Sequence, residues 1–144
     1  MIKKFTHAGL VVRDINKAID LYSKAFGFEP GPFGVLQIPE LGIKSFALII
    51  GKNFIELLEP TDPKRPIGKF LKERGEGLYH ISFSVDDLNT EVQSLREKGI
   101  IIEDPRSVSS LPFLSRIAFV DPQSVNGAII ELVEHPAGLA PKPS

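Results

Sequence analysis

The sequence predicts an α+β fold in which two tandem βαβββ modules form a curved mixed sheet around a cavity. Three observations carry this reading. The segment His7-Ala-Gly-Leu-Val-Val-Arg-Asp14-Ile15-Asn16 is echoed 73 residues on by His80-Ile-Ser-Phe-Ser-Val-Asp-Asp87-Leu88-Asn89. Ile55-Glu56-Leu57-Leu58-Glu59 is echoed 75 residues on by Ile130-Glu131-Leu132-Val133-Glu134. Each copy of the first segment also passes from a strand-like apolar run, through an aspartate, into apolar residues at helical spacing. Two separate matches at nearly one offset mark a duplication. The period is too long, and the copies too few, for a solenoid.

The elements follow in order. Phe5 to Val12 is rich in apolar and β-branched residues and reads as a strand. Asp14 is a natural N-cap, and Ile15, Ala18, Ile19, Tyr22, Ala25 and Phe26 then recur at helical spacing until Gly27 ends the helix. Gly34 to Pro39, Ile43 to Ile50 and Phe54 to Leu58 give three short strands. Glu59 to Gly77 joins the modules, opened as a loop by Pro60, Pro63 and Pro66, with a short helix over Ile67 to Arg74. In the second copy Leu78 to Val85 is a strand. Asp86 or Asp87 caps a helix carrying Leu88, Val92 and Leu95, and Gly99 closes it. Ile100 to Glu103, Arg116 to Val120 and Ala128 to Val133 complete the set, with a long loop from Arg106 to Leu114. The organisation is one domain over 1–144: module one 1–59, connector 60–77, module two 78–135, and a mobile tail 136–144.

Composition bounds the function. A chain of 144 residues with 42% hydrophobic and 24% charged residues is an ordinary globular domain able to bury a core. Its net charge of -1 offers no basic surface for nucleic acid or anionic membrane. There are no cysteines, so disulfides, thiolate metal sites and cysteine nucleophiles are excluded. The N-terminal apolar run is too short for a signal peptide, and no run is long enough to span a membrane. A cytoplasmic protein is expected.

Strand alternation then singles out four residues. Ile55 and Leu57 share one face and Glu56 the other; Ile130 and Leu132 oppose Glu131. With the aliphatic pairs packed under the helices, both glutamates turn to the opposite surface. His7 shares a face with Gly9, and His80 with Ser82, small residues that leave space above them. If the two sheets curve towards each other, His7, Glu56, His80 and Glu131 meet in one cavity. Two imidazoles and two carboxylates suit a divalent ion such as Zn, Co, Ni, Mn or Fe. A lone strand histidine or glutamate would be structural or solvated; the repeated pair argues for metal, since a buried carboxylate needs a partner.

Other signals are weaker. The chain has no GxGxxG, no phosphate-cradling loop and no GxSxG elbow. The run Lys64, Arg65, Lys69, Lys72 and Arg74 reads as a solvated helix face, with attraction of a phosphorylated or acyl-CoA substrate as the alternative. His135 has no counterpart in the other module and reads as solvated.

The pattern resembles the vicinal oxygen chelate (glyoxalase/bleomycin resistance/dioxygenase) superfamily over nearly the whole chain, and within it the methylmalonyl-CoA epimerase family. The segments that carry the resemblance are HAGLVVRDINKAIDLY, IELLEPTDPKRPIGKFLKERGEGLYHISFSVDDL and RIAFVDPQSVNGAIIELVE. It implies His7, Glu56, His80 and Glu131 as metal ligands. It also implies proton abstraction next to a chelated carbonyl, through an enolate, on a small-molecule substrate such as an acyl-CoA. Where some epimerases carry a carboxylate base this chain has Ser45, so Glu56 or Glu131 is the implied proton acceptor, and Ser45 and Arg116 are expected to line the substrate. Lys44 is turned away from Ser45's face by alternation. The family's glycine-rich loop is replaced by Ser107 to Arg116, and its His-Pro-Lys turn by Asp121-Pro122-Gln123. The alternatives are glyoxalase I-type lactoylglutathione lyase activity, or non-catalytic small-molecule binding on the same fold. An extradiol dioxygenase fits less well, because Glu56 takes a position that an open iron site would leave free. Relatives with two modules often form homodimers.

Overall fold

The computed structural model describes residues 1–111, 114 and 116–135, so the tail expected to be mobile lies outside the described residues. The chain is α+β with mixed parallel and antiparallel pairing, as the repeat predicts. It divides into two compact units: His7–Tyr79, and a second made of Met1–Thr6 with the chain from His80 onward.

In the first unit, strand β1 (Ile2–Val11, here from His7) leads into helix α1 (Ile15–Phe26). Asp14 caps that helix by accepting the Lys17 backbone N–H at 3.1 Å. Gly27, at φ 69°, ends it in the left-handed conformation that glycine adopts without strain. Strands β2 (Glu29–Pro30), β3 (Leu36–Ile38), β4 (Ile43–Ile50) and β5 (Asn53–Pro60) follow. The order is β2-β4-β5-β1, with β3 also paired to β4. β1 and β5 are parallel, while β4 runs antiparallel to β5. Val12, Ile15, Ala18, Phe46, Leu48 and Leu57 are buried between α1 and the sheet. The connector forms helix α2 (Pro66–Arg74), close to its expected span. Its Gly68 lies so near the Asp62–Pro63 backbone that a Cβ there would sit 2.3 Å from the Asp62 carbonyl oxygen.

The second unit repeats the plan. Its strand β6 (Gly77–Val85, here from His80) leads to helix α3 (Leu88–Glu97), capped by Asp87, and then to β7 (Arg106–Ser107), β8 (Arg116–Val120) and β9 (Ile130–Glu134). The order is β6-β9-β8-β7, with β6 and β9 parallel. Val85, Leu88, Val92, Ile102, Ala118, Val120 and Leu132 form its core. The second unit differs from the expected elements in two places. The strand expected at Ile100 to Glu103 is a single bridge, Ile102 to Val120. Side chains take the amides that would continue the ladder: the Ser124 hydroxyl accepts the Ile101 N–H at 2.9 Å, and Glu103 Oε1 accepts the Phe119 N–H at 2.9 Å. The segment read as loop instead starts with β7, paired to β8. Among the described residues no helix is long and apolar enough to cross a membrane.

Candidate metal-binding and active-site residues

Each unit buries one histidine against one glutamate. In the first, β1 and β5 run parallel with Gly9 opposite Glu56, and His7 stands two residues before Gly9 on the same face. The imidazole Nε2 of His7 lies 3.5 Å from Glu56 Oε1. In the second, Ser82 is opposite Glu131, His80 stands two residues before Ser82, and His80 Nε2 lies 3.6 Å from Glu131 Oε1. The register is the same in both, so the repeat in sequence is a repeat in geometry. His7 and His80 are 2% and 3% exposed, and Glu56 and Glu131 are 7% and 4% exposed, so none of the four is a solvated surface group. Burying a carboxylate requires hydrogen bonds or a cation, and an imidazole at this distance is a shared-ligand arrangement as readily as an ion pair.

The rings are set by aromatic neighbours that the sequence did not flag. Phe54, opposite His7 in the ladder, stacks on it with centroids 4.5 Å apart and planes 20° apart. Phe119, opposite Glu131, meets His80 edge-on at 5.9 Å. The signal available was their phase in the strands: each occupies a ligand-bearing face where an exposed strand would carry a polar residue.

Ser45 lies on this face, buried, and its hydroxyl donates to Glu56 Oε2 at 2.7 Å. That bond makes Ser45 a partner of the glutamate. Lys44 points to the other face, 3.9 Å from Glu59, as alternation requires. Arg116 is a correction. It pairs with Glu134 in the ladder, which places it with Ala118 and Leu132 on the helix-bearing face, and its Nη2 donates to Asn89 Oδ1 of α3 at 2.8 Å. Arg116 therefore does not share a surface with His80 and Glu131. The sequence carried no register for β8, and one residue of phase decides the face. His135 is half-buried where solvation was expected. Of the basic run, Arg65 is engaged by Asp62 at 3.6 Å and by the Glu40 carbonyl at 2.7 Å, and Arg74 lies over the Phe70 ring.

Glu59 and Glu134 play a part the sequence showed only as a repeated letter. Glu59 Oε2 accepts the Ile15 N–H at 2.9 Å, and Glu134 Oε2 accepts the Leu88 N–H at 2.7 Å. Each strand end is thereby tied to the first residue of its helix.

Residues 6–111 match the family model of the Glyoxalase/Bleomycin resistance protein/Dioxygenase superfamily. The chain is 31% identical over 137 residues to the mitochondrial methylmalonyl-CoA epimerase of Dictyostelium discoideum, covering 92% of this chain and 79% of that protein. Methylmalonyl-CoA epimerase from Mycobacterium tuberculosis has a similar structure, with a TM-score of 0.85 at 30% identity over 96% of this chain and 92% of that one. A variant of Streptomyces coelicolor methylmalonyl-CoA epimerase in complex with 2-nitronate-propionyl-CoA gives a TM-score of 0.84 at 29% identity, over 95% and 100%. With these matches spanning both halves of the repeat, the chain belongs to the glyoxalase/bleomycin resistance/dioxygenase superfamily and is similar within it to the methylmalonyl-CoA epimerases.

Proposed function

We propose that this chain is a divalent-metal-dependent epimerase of a carboxylated acyl thioester, with methylmalonyl-CoA as the reference substrate. The observation that carries the reading is the buried His–Glu pair found at one register in each unit. The similarity to a methylmalonyl-CoA epimerase and to one holding a nitronate acyl-CoA supports the substrate class. The donor chemistry fits a metal: two imidazole nitrogens and two carboxylates, all buried, make a hard-to-borderline set for Zn, Co, Ni, Mn or Fe. His7, Glu56, His80 and Glu131 would hold the ion together. When bound, such an ion supplies Lewis acidity where negative charge develops on the thioester carbonyl.

The protein's own groups do the rest. The α-proton passes to a carboxylate, Glu56 or Glu131, while the C–H electron pair forms the Cα=C bond and the carbonyl π pair moves onto its oxygen. A proton then returns to the opposite face of the α-carbon. A Ser45 hydroxyl cannot accept that proton at neutral pH. Its donation to Glu56 holds the carboxylate in place. The buried stacking of Phe54 on His7 keeps the imidazole from rotating away.

Incubation with methylmalonyl-CoA in D₂O tests the reading. Wild-type protein loaded with Co²⁺ should exchange the α-proton for deuterium, seen by proton NMR, and His80→Ala should slow exchange by about 100-fold or more. A wild-type protein that exchanges no 2-substituted malonyl thioester would rule the epimerase out. Ser45 in place of a carboxylate supports a second reading, glyoxalase-type isomerisation of a thiol hemithioacetal. Formation of lactoylglutathione from methylglyoxal and glutathione, without α-proton exchange, would establish that reading instead.

A further inference from the structure

We propose that Glu59 and Glu134 are positioning residues for the two ligand carboxylates, acting by locking each ligand-bearing strand onto the N-terminus of its helix; the inference rests on the metal reading above. The first amides of a helix lack intrahelical partners. In both units one of them is satisfied locally, Lys17 N–H by Asp14 and Thr90 N–H by Asp87. A second amide, at the first helical residue, is satisfied from the strand, Ile15 by Glu59 and Leu88 by Glu134. Helix capping alone needs no residue 44 or 46 positions away in sequence. A local side chain would serve it equally.

What the strand-borne glutamate adds is a tie. Glu59 and Glu134 stand three residues after Glu56 and Glu131, on the opposite face, at the ends of β5 and β9. Strand ends fray unless they are held. A bond from the helix-facing side of the strand fixes its rotation about its own axis, and that rotation sets where the carboxylate on the other face points. The Val12 N–H bond to the Leu58 carbonyl, 2.9 Å, clamps β1 to β5 at the same end. The geometry recurs in both units with the same donor position, the same acceptor atom and the same spacing to the ligand. Capping asks for no such spacing; holding a carboxylate does.

The experiment titrates the metal-free full-length chain with Co²⁺ by calorimetry and measures thermal stability on the same samples. Glu59→Ala should weaken Co²⁺ binding by about tenfold or more. Glu59→Gln, which keeps an oxygen acceptor, should restore most of it. Asp14→Ala removes a cap from the same helix without touching the strand, so it should lower stability and leave Co²⁺ affinity as in wild type. Glu134→Ala should repeat the Glu59→Ala result in the other unit and decides the matter if Glu59→Ala does not fold. Wild-type affinity in both alanine variants, or equal weakening in Asp14→Ala, would overturn the positioning role. A wild-type chain with no affinity for Co²⁺ would overturn the metal reading and this inference with it.

Discussion

The Ser45 hydroxyl lies 2.7 Å from Glu56 Oε2, and both side chains are buried. A hydrogen bond to a carboxylate in that setting stabilises by about 1.5–3 kcal/mol. Ser45→Ala should therefore lower stability by that order, read as a shift of the urea midpoint without a change in slope. It should also lower metal affinity, because Glu56 loses a contact that orients it. Ser45→Thr, which keeps the hydroxyl, should suffer less on both counts. A Ser45→Ala protein with wild-type stability would show that the bond is replaced by other partners of Glu56.

At the scale of the element, helices α1 and α3 start with the same pair of carboxylates, one local and one from a strand. The Asp87 carboxyl is held below the ordinary aspartate value of 3.8, chiefly by the backbone N–H of Thr90 that it accepts. A depressed folded pKa means that the charged cap stabilises α3 above the ordinary value and loses that contribution as pH falls through the lowered one. Asp87→Asn retains a capping oxygen but no titration. Its stability should approach wild type at neutral pH, and its decline as pH falls below the ordinary aspartate value should be shallower. Urea denaturation followed at several pH values checks this; parallel acid limbs for the two proteins would contradict it.

For the whole molecule, one shared ion and two separate half-sites make different forecasts. An ion that binds only the folded chain stabilises it by about 2.7 kcal/mol when present at 100 times its Kd. Co²⁺ should therefore raise the melting temperature, and a chelator should reverse the rise. Because His7 belongs to one unit and His80 to the other, His7→Ala and His80→Ala should each abolish the whole rise if one ion takes ligands from both pairs. Retention of about half the rise in each single variant would mean that each pair binds its own ion.

By itself the sequence determined the duplication and the βα opening of each copy, and it placed His7, Glu56, His80 and Glu131 on strand faces away from the aliphatic pairs. These are legible because the pattern is local: residues that alternate along a strand, or recur along a helix, report their face without knowledge of any partner. His7 with Gly9, and Glu56 opposed to Ile55 and Leu57, needed only that rule. Only tertiary structure decided what depends on a neighbour. Whether Ile100 to Glu103 forms a strand turned on Ser124 and Glu103 side chains capturing the Ile101 and Phe119 amides. The face of Arg116 turned on the β8–β9 register, and the roles of Glu59 and Glu134 turned on helix amides more than 40 residues away. Hydrogen-bond partners distant in sequence leave no periodic trace in it, so strand register and long-range caps become visible only when the chain is folded.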